Sequence, residues 1–132
     1  MAPSMATEPK LGMLTGLRVL LVEDHEDSRD ILQQVLTYEG ALVSTAASAR
    51  EALAKIGVVD VVVTDVAMPG GGGLWLSTQI EQSPHRLPVI AVTGFADDDD
   101  VAGASFARVL RKPIDPWRLC TEILEVLGRR SP

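Results

Sequence analysis

Short apolar runs alternate with helical patterns from residue 17 to residue 128, and this alternation limits the fold more than any other feature of the chain. The run at residues 59–64 is rich in valine, so we expect a strand that is buried on both faces. Four further strands are predicted at residues 17–23, 41–46, 88–92 and 107–111. Strands separated by helical segments pair in parallel through crossover helices, so the sequence predicts an α/β domain.

Helical patterns occupy the intervals between the predicted strands. We expect helices at about residues 28–38, 48–57, 74–82 and 116–127. A capping-box signature from Ser48 to Glu51 opens the second, and Asp115 followed by proline opens the last, in which Cys120 faces inward. The first is expected to present one face made of Ile31, Leu32, Val35 and Tyr38.

The interval between the last two strands is the weakest helix candidate. Four adjacent aspartates, residues 97–100, repel one another, and Gly103 weakens a helix interior. We therefore expect a shortened fourth helix of no more than about two turns, or an irregular, mobile loop.

Composition sets broad limits on the class of protein. At 132 residues with 46% apolar residues, we expect one domain at residues 17–128, between a flexible tail at residues 1–16 and a C-terminal tail at residues 129–132. The net charge of −6 argues against a nucleic-acid-binding surface. One cysteine excludes an internal disulfide, and no apolar run is long enough to span a membrane, so we expect a cytoplasmic protein.

Polar side chains follow four of the predicted strands. Glu23 and Asp24 follow the first, Asp65 closes the third, Thr93 follows the fourth and Lys112 follows the fifth. The carboxyl ends of parallel strands meet at one edge of a sheet, where such folds place their binding sites. The sequence therefore predicts one site built from acids, a hydroxyl and an ammonium group.

This set of groups suits a metal ion and a phosphoryl group. Crowded carboxylates need a countercharge, and Mg²⁺ takes oxygen ligands together with a phosphate. The candidate ligands are Glu23, Asp24, Asp65 and the backbone carbonyl of Ala67. Cation, ammonium and hydroxyl together stabilise a transferring phosphoryl group, and an aspartate can itself be the nucleophile.

The joint pattern resembles the receiver domain of two-component response regulators over residues 17–128. The motifs that carry the resemblance are residues 20–24 (LLVED), 64–70 (TDVAMPG), 91–94 (AVTG) and Lys112-Pro113. The closing segment, residues 106–114, is most similar to receivers of hybrid histidine kinases. The resemblance implies a flavodoxin-like five-stranded parallel sheet of order 2-1-3-4-5, with helices on both faces.

The resemblance also implies roles for the site residues. Asp65 would accept a phosphoryl group from a kinase phosphohistidine in a reaction that requires Mg²⁺. Asp24 would bind the metal directly, Glu23 directly or through water, and the Ala67 carbonyl would complete the protein ligands. Thr93 would be the switch hydroxyl, and Lys112, turned inward by a cis bond to Pro113, would pair with the phosphoryl group.

Such a domain is a signalling phosphoacceptor in a phosphorelay, not an enzyme with an external substrate. The implied partners are a sensor or hybrid histidine kinase or a phosphotransfer protein, together with a downstream protein, and neither nucleic acid nor membrane. The family commonly has an aromatic residue where this chain has Val109, and the 19 residues from Thr93 to Lys112 are fewer than usual by roughly one helical turn.

Two alternatives stay open at this point. A pseudo-receiver would use the same fold as a protein-binding platform without phosphorylation, which the departures above would allow. A phosphohydrolase of the haloacid dehalogenase type would need a second aspartate where Ala67 stands, so this alternative is weak.

Trp75 is predicted to be at least partly exposed near the site. It shares a helical face with Gln79 and Gln82, which suggests an interface residue. The alternative is that its ring folds back over the glycine-rich loop as a lid.

Overall fold

A computed structural model describes residues 12–68, 72–94 and 105–128 of the chain. Five parallel strands form one sheet of order β2-β1-β3-β4-β5, so the predicted order 2-1-3-4-5 and the flavodoxin-like fold class are confirmed. The strands are β1 (Arg18–Val22), β2 (Leu42–Ala46), β3 (Val61–Asp65), β4 (Val89–Thr93) and β5 (Arg108–Arg111).

Helices lie on both faces of the sheet. They are α1 (Glu26–Tyr38), α2 (Ala49–Leu53), α3 (Gly73–Glu81) and α4 (Pro116–Val126), with a 3-10 turn at Ile56–Val58. Both predicted caps are present, because the Ser48 side chain accepts from the Glu51 N–H and Asp115 accepts from the Trp117 N–H. The shortened helix expected near residues 97–105 falls almost wholly outside the described residues.

The sheet separates two apolar clusters, and alternate strand residues point into each. Val19 and Val63 join the cluster that α1 and α4 cover, whereas Leu20 and Val62 join the cluster under α2 and α3. Every residue of β3 is buried, as the valine-rich run predicted, and every residue of β4 is buried too. In the described ranges, no helix combines the length and apolar character needed to cross a membrane.

The predicted inward face of α1 is partly wrong. Ile31 and Tyr38 are 57% and 70% exposed, whereas Leu32 and Leu36 are buried against the sheet. Residues four apart lie on the same side of a helix, so burial of Leu32 and Leu36 sets the rotation of α1. Ile31 and Tyr38 then lie off the buried face.

The expected beginning of the domain at Leu17 is too late. Leu14 is fully buried in the core, and its N–H donates to the Glu39 carbonyl at 2.8 Å. The Met13 N–H donates to Glu39 Oε1 at 3.0 Å, which fixes the same turn. The folded domain therefore includes Gly12, the first described residue. The sequence did not indicate this because the short turn that carries Leu14 has neither helical nor strand periodicity.

Cys120 is expected to resist alkylation in the folded protein. Its side chain is fully buried on α4, and burial raises the pKa of its thiol to about 11. Since the thiolate is the reactive species, only about one thiol in a thousand would be ionised at pH 8 even if a reagent could reach it. Ellman's reagent should therefore label one thiol per chain in guanidinium and almost none without it. Stoichiometric labelling within seconds in native buffer would contradict this prediction.

Candidate functional site

The predicted site residues meet at the carboxyl edge of the sheet. Strand register places Asp65 beside Val92 and Thr93 beside Arg111, so the ends of β3, β4 and β5 are nearly level. Because the strands are parallel, the segments that follow them all begin at the same edge of the sheet.

Asp65 and Lys112 form an ion pair at the centre of this edge. Asp65 is 3% exposed, and Lys112 Nζ donates to its Oδ2 at 2.8 Å. The other oxygen, Oδ1, accepts from the Ala67 N–H at 3.3 Å. The Lys112-Pro113 bond is cis, as predicted, and the Lys112 N–H donates to the Thr93 carbonyl at 2.9 Å. The fifth strand end is thus tied to the fourth, with the ammonium group directed at Asp65.

Lys112 is held in its charged form. Its partial burial lowers the pKa, but its hydrogen bond to Asp65, that residue's charge and the charges of Glu23 and Asp24 outweigh burial and raise the pKa overall. The site therefore keeps a fixed positive charge beside its carboxylates.

Glu23 is buried next to Asp65 and close to Asp24. Its pKa is raised mainly by burial, with Asp65 adding a contribution, while the backbone hydrogen bond from His25 opposes the rise. One ligand atom from each of Glu23, Asp24, His25 and Asp65 lies within 4.8 Å of the others. Carboxylates this close repel one another unless a cation balances them.

The donor set fits a divalent cation. Asp24 Oδ1 is shielded from solvent and accepts no hydrogen bond within the described residues, although His25 Nδ1 lies 3.3 Å away. An oxygen taken out of water without a partner is costly, and a metal ion would satisfy it. Glu23, Asp24 and Asp65 supply the hard oxygen ligands that Mg²⁺ prefers.

Thr93 and Ala67 lie at the same edge. The Thr93 side chain is fully buried, and its hydroxyl donates to the Gly94 carbonyl at 3.0 Å. Ala67 is exposed two residues beyond Asp65, and its N–H already contacts that carboxylate. The roles of Thr93 as a switch and of the Ala67 carbonyl as a ligand stay predictions.

Sequence reasoning missed two residues that shape the acid pair. His25 contacts both acids, and Arg29 Nη1 donates to the Glu23 carbonyl at 2.9 Å from the first turns of α1. The signal was a histidine directly after two acids, with an arginine four residues later on the same helix face.

The glycines that follow β3 are required by close backbone contact. A Cβ at Gly72 would lie 1.9 Å from the Val66 carbonyl oxygen, and one at Gly73 would lie 2.8 Å from the Asp65 carbonyl oxygen. A side chain at either position would therefore push the start of α3 away from the end of β3, next to Asp65.

Trp75 is partly exposed, as predicted. Its ring packs against the cluster under α2 and α3, and the Arg50 guanidinium lies 4.8 Å from the ring centre. It borders a cleft with Ala67 and Leu74 beside the β3–α3 connection. Whether it contacts a partner or covers the glycine-rich loop, of which residues 69–71 are not described, stays a prediction.

Comparison with known proteins agrees with this architecture. The family model described as the response regulator receiver domain matches residues 19–124. An uncharacterised 14.6 kDa protein of Leptolyngbya boryana is 37% identical over 80% of this chain and 86% of its own. The crystal structure of a response regulator receiver domain protein from Clostridium thermocellum superposes with a TM-score of 0.80 at 27% identity, covering 85% of this chain and 94% of that one. This chain belongs to the response regulator receiver family.

Some relatives are longer proteins that contain a similar module as one part. The transcriptional regulatory protein TcrA of Mycobacterium tuberculosis is 34% identical over 92% of this chain, which spans only 49% of TcrA. The sensor kinase CckA of Brucella abortus is 35% identical over 98% of this chain, which spans 15% of CckA. The module is therefore similar to parts of both regulators and kinases.

Proposed function

We propose that this protein is a cytoplasmic phosphoacceptor of a two-component phosphorelay, in which Asp65 accepts a phosphoryl group from a histidine kinase or a phosphotransfer protein. The observation that carries the proposal is the buried Asp65 carboxylate, paired with Lys112 at 2.8 Å and adjoining two further acids. A structural ion pair alone would not need Glu23 and Asp24 at the same strand edge.

The reaction is a transfer between two amino-acid side chains. A carboxylate oxygen of Asp65 attacks phosphorus, the phosphorus–nitrogen bond of the donor phosphohistidine breaks, and the imidazole leaves. Mg²⁺, held by Glu23, Asp24, Asp65 and the Ala67 carbonyl, would neutralise charge on the phosphoryl oxygens. Lys112 supplies the second positive charge, and the buried position of Asp65 keeps the carboxylate fixed for attack.

The Thr93 hydroxyl would report the modification. It now donates to Gly94, and a phosphoryl group at the same edge would offer a more strongly charged acceptor. A change of acceptor by a buried hydroxyl would alter the end of β4 and the chain beyond it. The output is then a protein contact, and catalysis is confined to the domain's own phosphorylation and dephosphorylation.

One observation favours a second function, the pseudo-receiver. Val109 is 41% exposed on β5 and is too short to act as the rotating ring that the family commonly uses. The phosphohydrolase alternative has no support, because Ala67 provides no acid two residues beyond Asp65.

The test is formation of an Asp65-dependent adduct. The protein is incubated with Mg²⁺ and either acetyl phosphate or beryllofluoride, and its intact mass and amide NMR spectrum are recorded. Stoichiometric modification supports the phosphoacceptor, whereas no adduct at saturating Mg²⁺ supports the pseudo-receiver. Turnover of a simple phosphate ester would support the phosphohydrolase.

Replacing Lys112 with methionine is expected to raise the affinity for Mg²⁺. The ammonium group and the metal ion share the Asp65 carboxylate, so removing one positive charge favours the other. We expect the dissociation constant to fall by about threefold to tenfold, an effect of about 1 kcal/mol that is typical of a partly screened charge. Calorimetric titration measures it, with Lys55→Met, which removes a lysine paired with Glu51 on α2, as the control. A weaker affinity in Lys112→Met would contradict the shared-site geometry.

A further inference from the structure

Arg29 of α1 reaches back to the end of β1. Its Nη1 donates to the Glu23 carbonyl at 2.9 Å. Arg29 lies near the beginning of α1 and is half-buried. Side chains of a helix lean towards its N-terminus, which directs the guanidinium towards the chain that joins β1 to α1. The contact therefore ties the helix to the short connection that carries the two acids.

The Glu23 backbone lies beyond the pairing of β1 with its neighbours. The register of β1 ends at Val22, which lies opposite Ala46 of β2 and Thr64 of β3. The Glu23 N–H still donates to the Ala46 carbonyl at 3.0 Å, but the Glu23 carbonyl accepts from Arg29. A guanidinium thus satisfies a carbonyl that a neighbouring strand would satisfy inside the sheet.

The bond from Arg29 fixes the direction in which the chain enters Asp24. The Glu23 carbonyl and the Asp24 N–H belong to one planar peptide unit, so a held oxygen orients the whole plane. The next N–H, that of His25, donates to Glu23 Oε1 at 3.0 Å. The backbone is therefore held on both sides of Asp24, whose Oδ1 accepts no hydrogen bond from the described residues. The position of that carboxylate then depends mainly on its backbone.

We propose that Arg29 is a positioning residue, which holds the Glu23–Asp24 peptide unit so that both carboxylates stay grouped with Asp65. It acts through the Glu23 carbonyl, and within the described ranges its guanidinium forms no ion pair with either carboxylate. This inference rests on the proposed function, in which these acids hold Mg²⁺, and it adds a residue that preorganises them.

The charge of Arg29 alone would have the opposite effect. A guanidinium near a cation site repels a second positive charge, so removing a residue that acts by charge would raise the affinity for Mg²⁺. Removing a positioning residue would lower the affinity, because the ligands would no longer be held in place. A residue that only stabilises α1 would change the free energy of unfolding and leave the affinity unchanged. The sign of the change in affinity therefore separates the three interpretations.

The experiment measures the dissociation constant for Mg²⁺ in the full chain and its variants by calorimetry. Arg29→Met keeps most of the apolar stem but removes the charge and the donor. Arg29→Gln makes the same two losses with a polar end and serves if the methionine variant does not fold. Arg118→Met is the matched control, since Arg118 lies near the beginning of α4 and pairs with Glu122 of the same helix at 3.6 Å. Thermal unfolding checks the fold of each variant.

We expect the dissociation constant to rise about tenfold in Arg29→Met and to stay within a factor of two in Arg118→Met. The amide resonances of Asp24 and His25 should also shift in metal-free Arg29→Met, because the peptide plane is released. An unchanged or lower dissociation constant in the folded Arg29 variant, or unshifted resonances, would overturn the proposal.

Beryllofluoride binding to the wild-type chain tests the proposed function separately. An adduct in the wild type together with unchanged Mg²⁺ affinity in the Arg29 variant would refute the positioning role alone. Weaker Mg²⁺ binding in the variant without any adduct in the wild type would refute the phosphoacceptor alone.

Discussion

Replacement of Asp65 with asparagine is expected to abolish phosphorylation while leaving the chain folded. The amide is a poor nucleophile, but it has nearly the shape of the carboxylate, and its one oxygen can still accept from either Lys112 or the Ala67 N–H. Loss of one negative charge also relieves repulsion with Glu23, so the free energy of unfolding should change by no more than about 1–2 kcal/mol. Incorporation of phosphate from labelled acetyl phosphate should fall to background.

The matched control is Asp60→Asn. Asp60 precedes the same strand at its opposite end, where it pairs with Arg18 at 3.1 Å. This variant makes the same chemical change away from the site and should be labelled at the wild-type level. Labelling of Asp65→Asn at that level would show that another residue accepts the phosphoryl group.

Gly72→Ala is expected to have the largest effect on stability. The added Cβ would lie 1.9 Å from the Val66 carbonyl oxygen, so the backbone after β3 must move. Forced overpacking of this kind costs typically ~1–3 kcal/mol, which should appear as a lower urea midpoint with an unchanged slope. The movement would also displace Asp65, so beryllofluoride binding should weaken together with stability.

Gly57→Ala separates this steric effect from the general cost of replacing glycine. A Cβ at Gly57 would only touch the His85 ring at 3.5 Å, an ordinary contact in the 3-10 turn before β3. Its backbone is not in the left-handed region, so alanine fits there without strain. Alanine also lowers the conformational entropy of the unfolded chain, so the substitution should be neutral or slightly stabilising. Equal losses in Gly57→Ala and Gly72→Ala would rule out the close contact as the cause.

The strands and the site residues were predictable because they depend on local pattern. Valine-rich runs predict buried parallel strands, and the parallel arrangement brings Glu23, Asp65 and Lys112 to one edge whatever the details of packing. The cap at Ser48 was equally local, since its partner is three residues away.

Features that depend on packing could not be predicted from local sequence pattern. The rotation of α1 is set by how Leu32 and Leu36 pack on the sheet, and Ile31 satisfies the same periodicity almost as well. Leu14 is buried by a turn that pairs with Glu39, a contact 25 residues apart in sequence. The direction of the His25 ring follows from three-dimensional contacts with the two acids that precede it.

The exposed Val109 is important for how a signal would leave the site. It lies on β5, the edge strand that leads directly into Lys112. Without an aromatic ring at this position, a change at Thr93 would have to act through the backbone that joins the ends of β4 and β5, where the Lys112 N–H donates to the Thr93 carbonyl. Any conformational response should therefore appear first in amide signals near these two residues.

Reductive trapping can show whether the Asp65 side chain itself carries the phosphoryl group. Borohydride converts an aspartyl phosphate to homoserine, which peptide mass spectrometry locates in the sequence. After incubation with Mg²⁺ and a phosphodonor, we expect homoserine at position 65, dependent on both reagents. Homoserine at another aspartate, or none from a protein that is stoichiometrically phosphorylated, would contradict it.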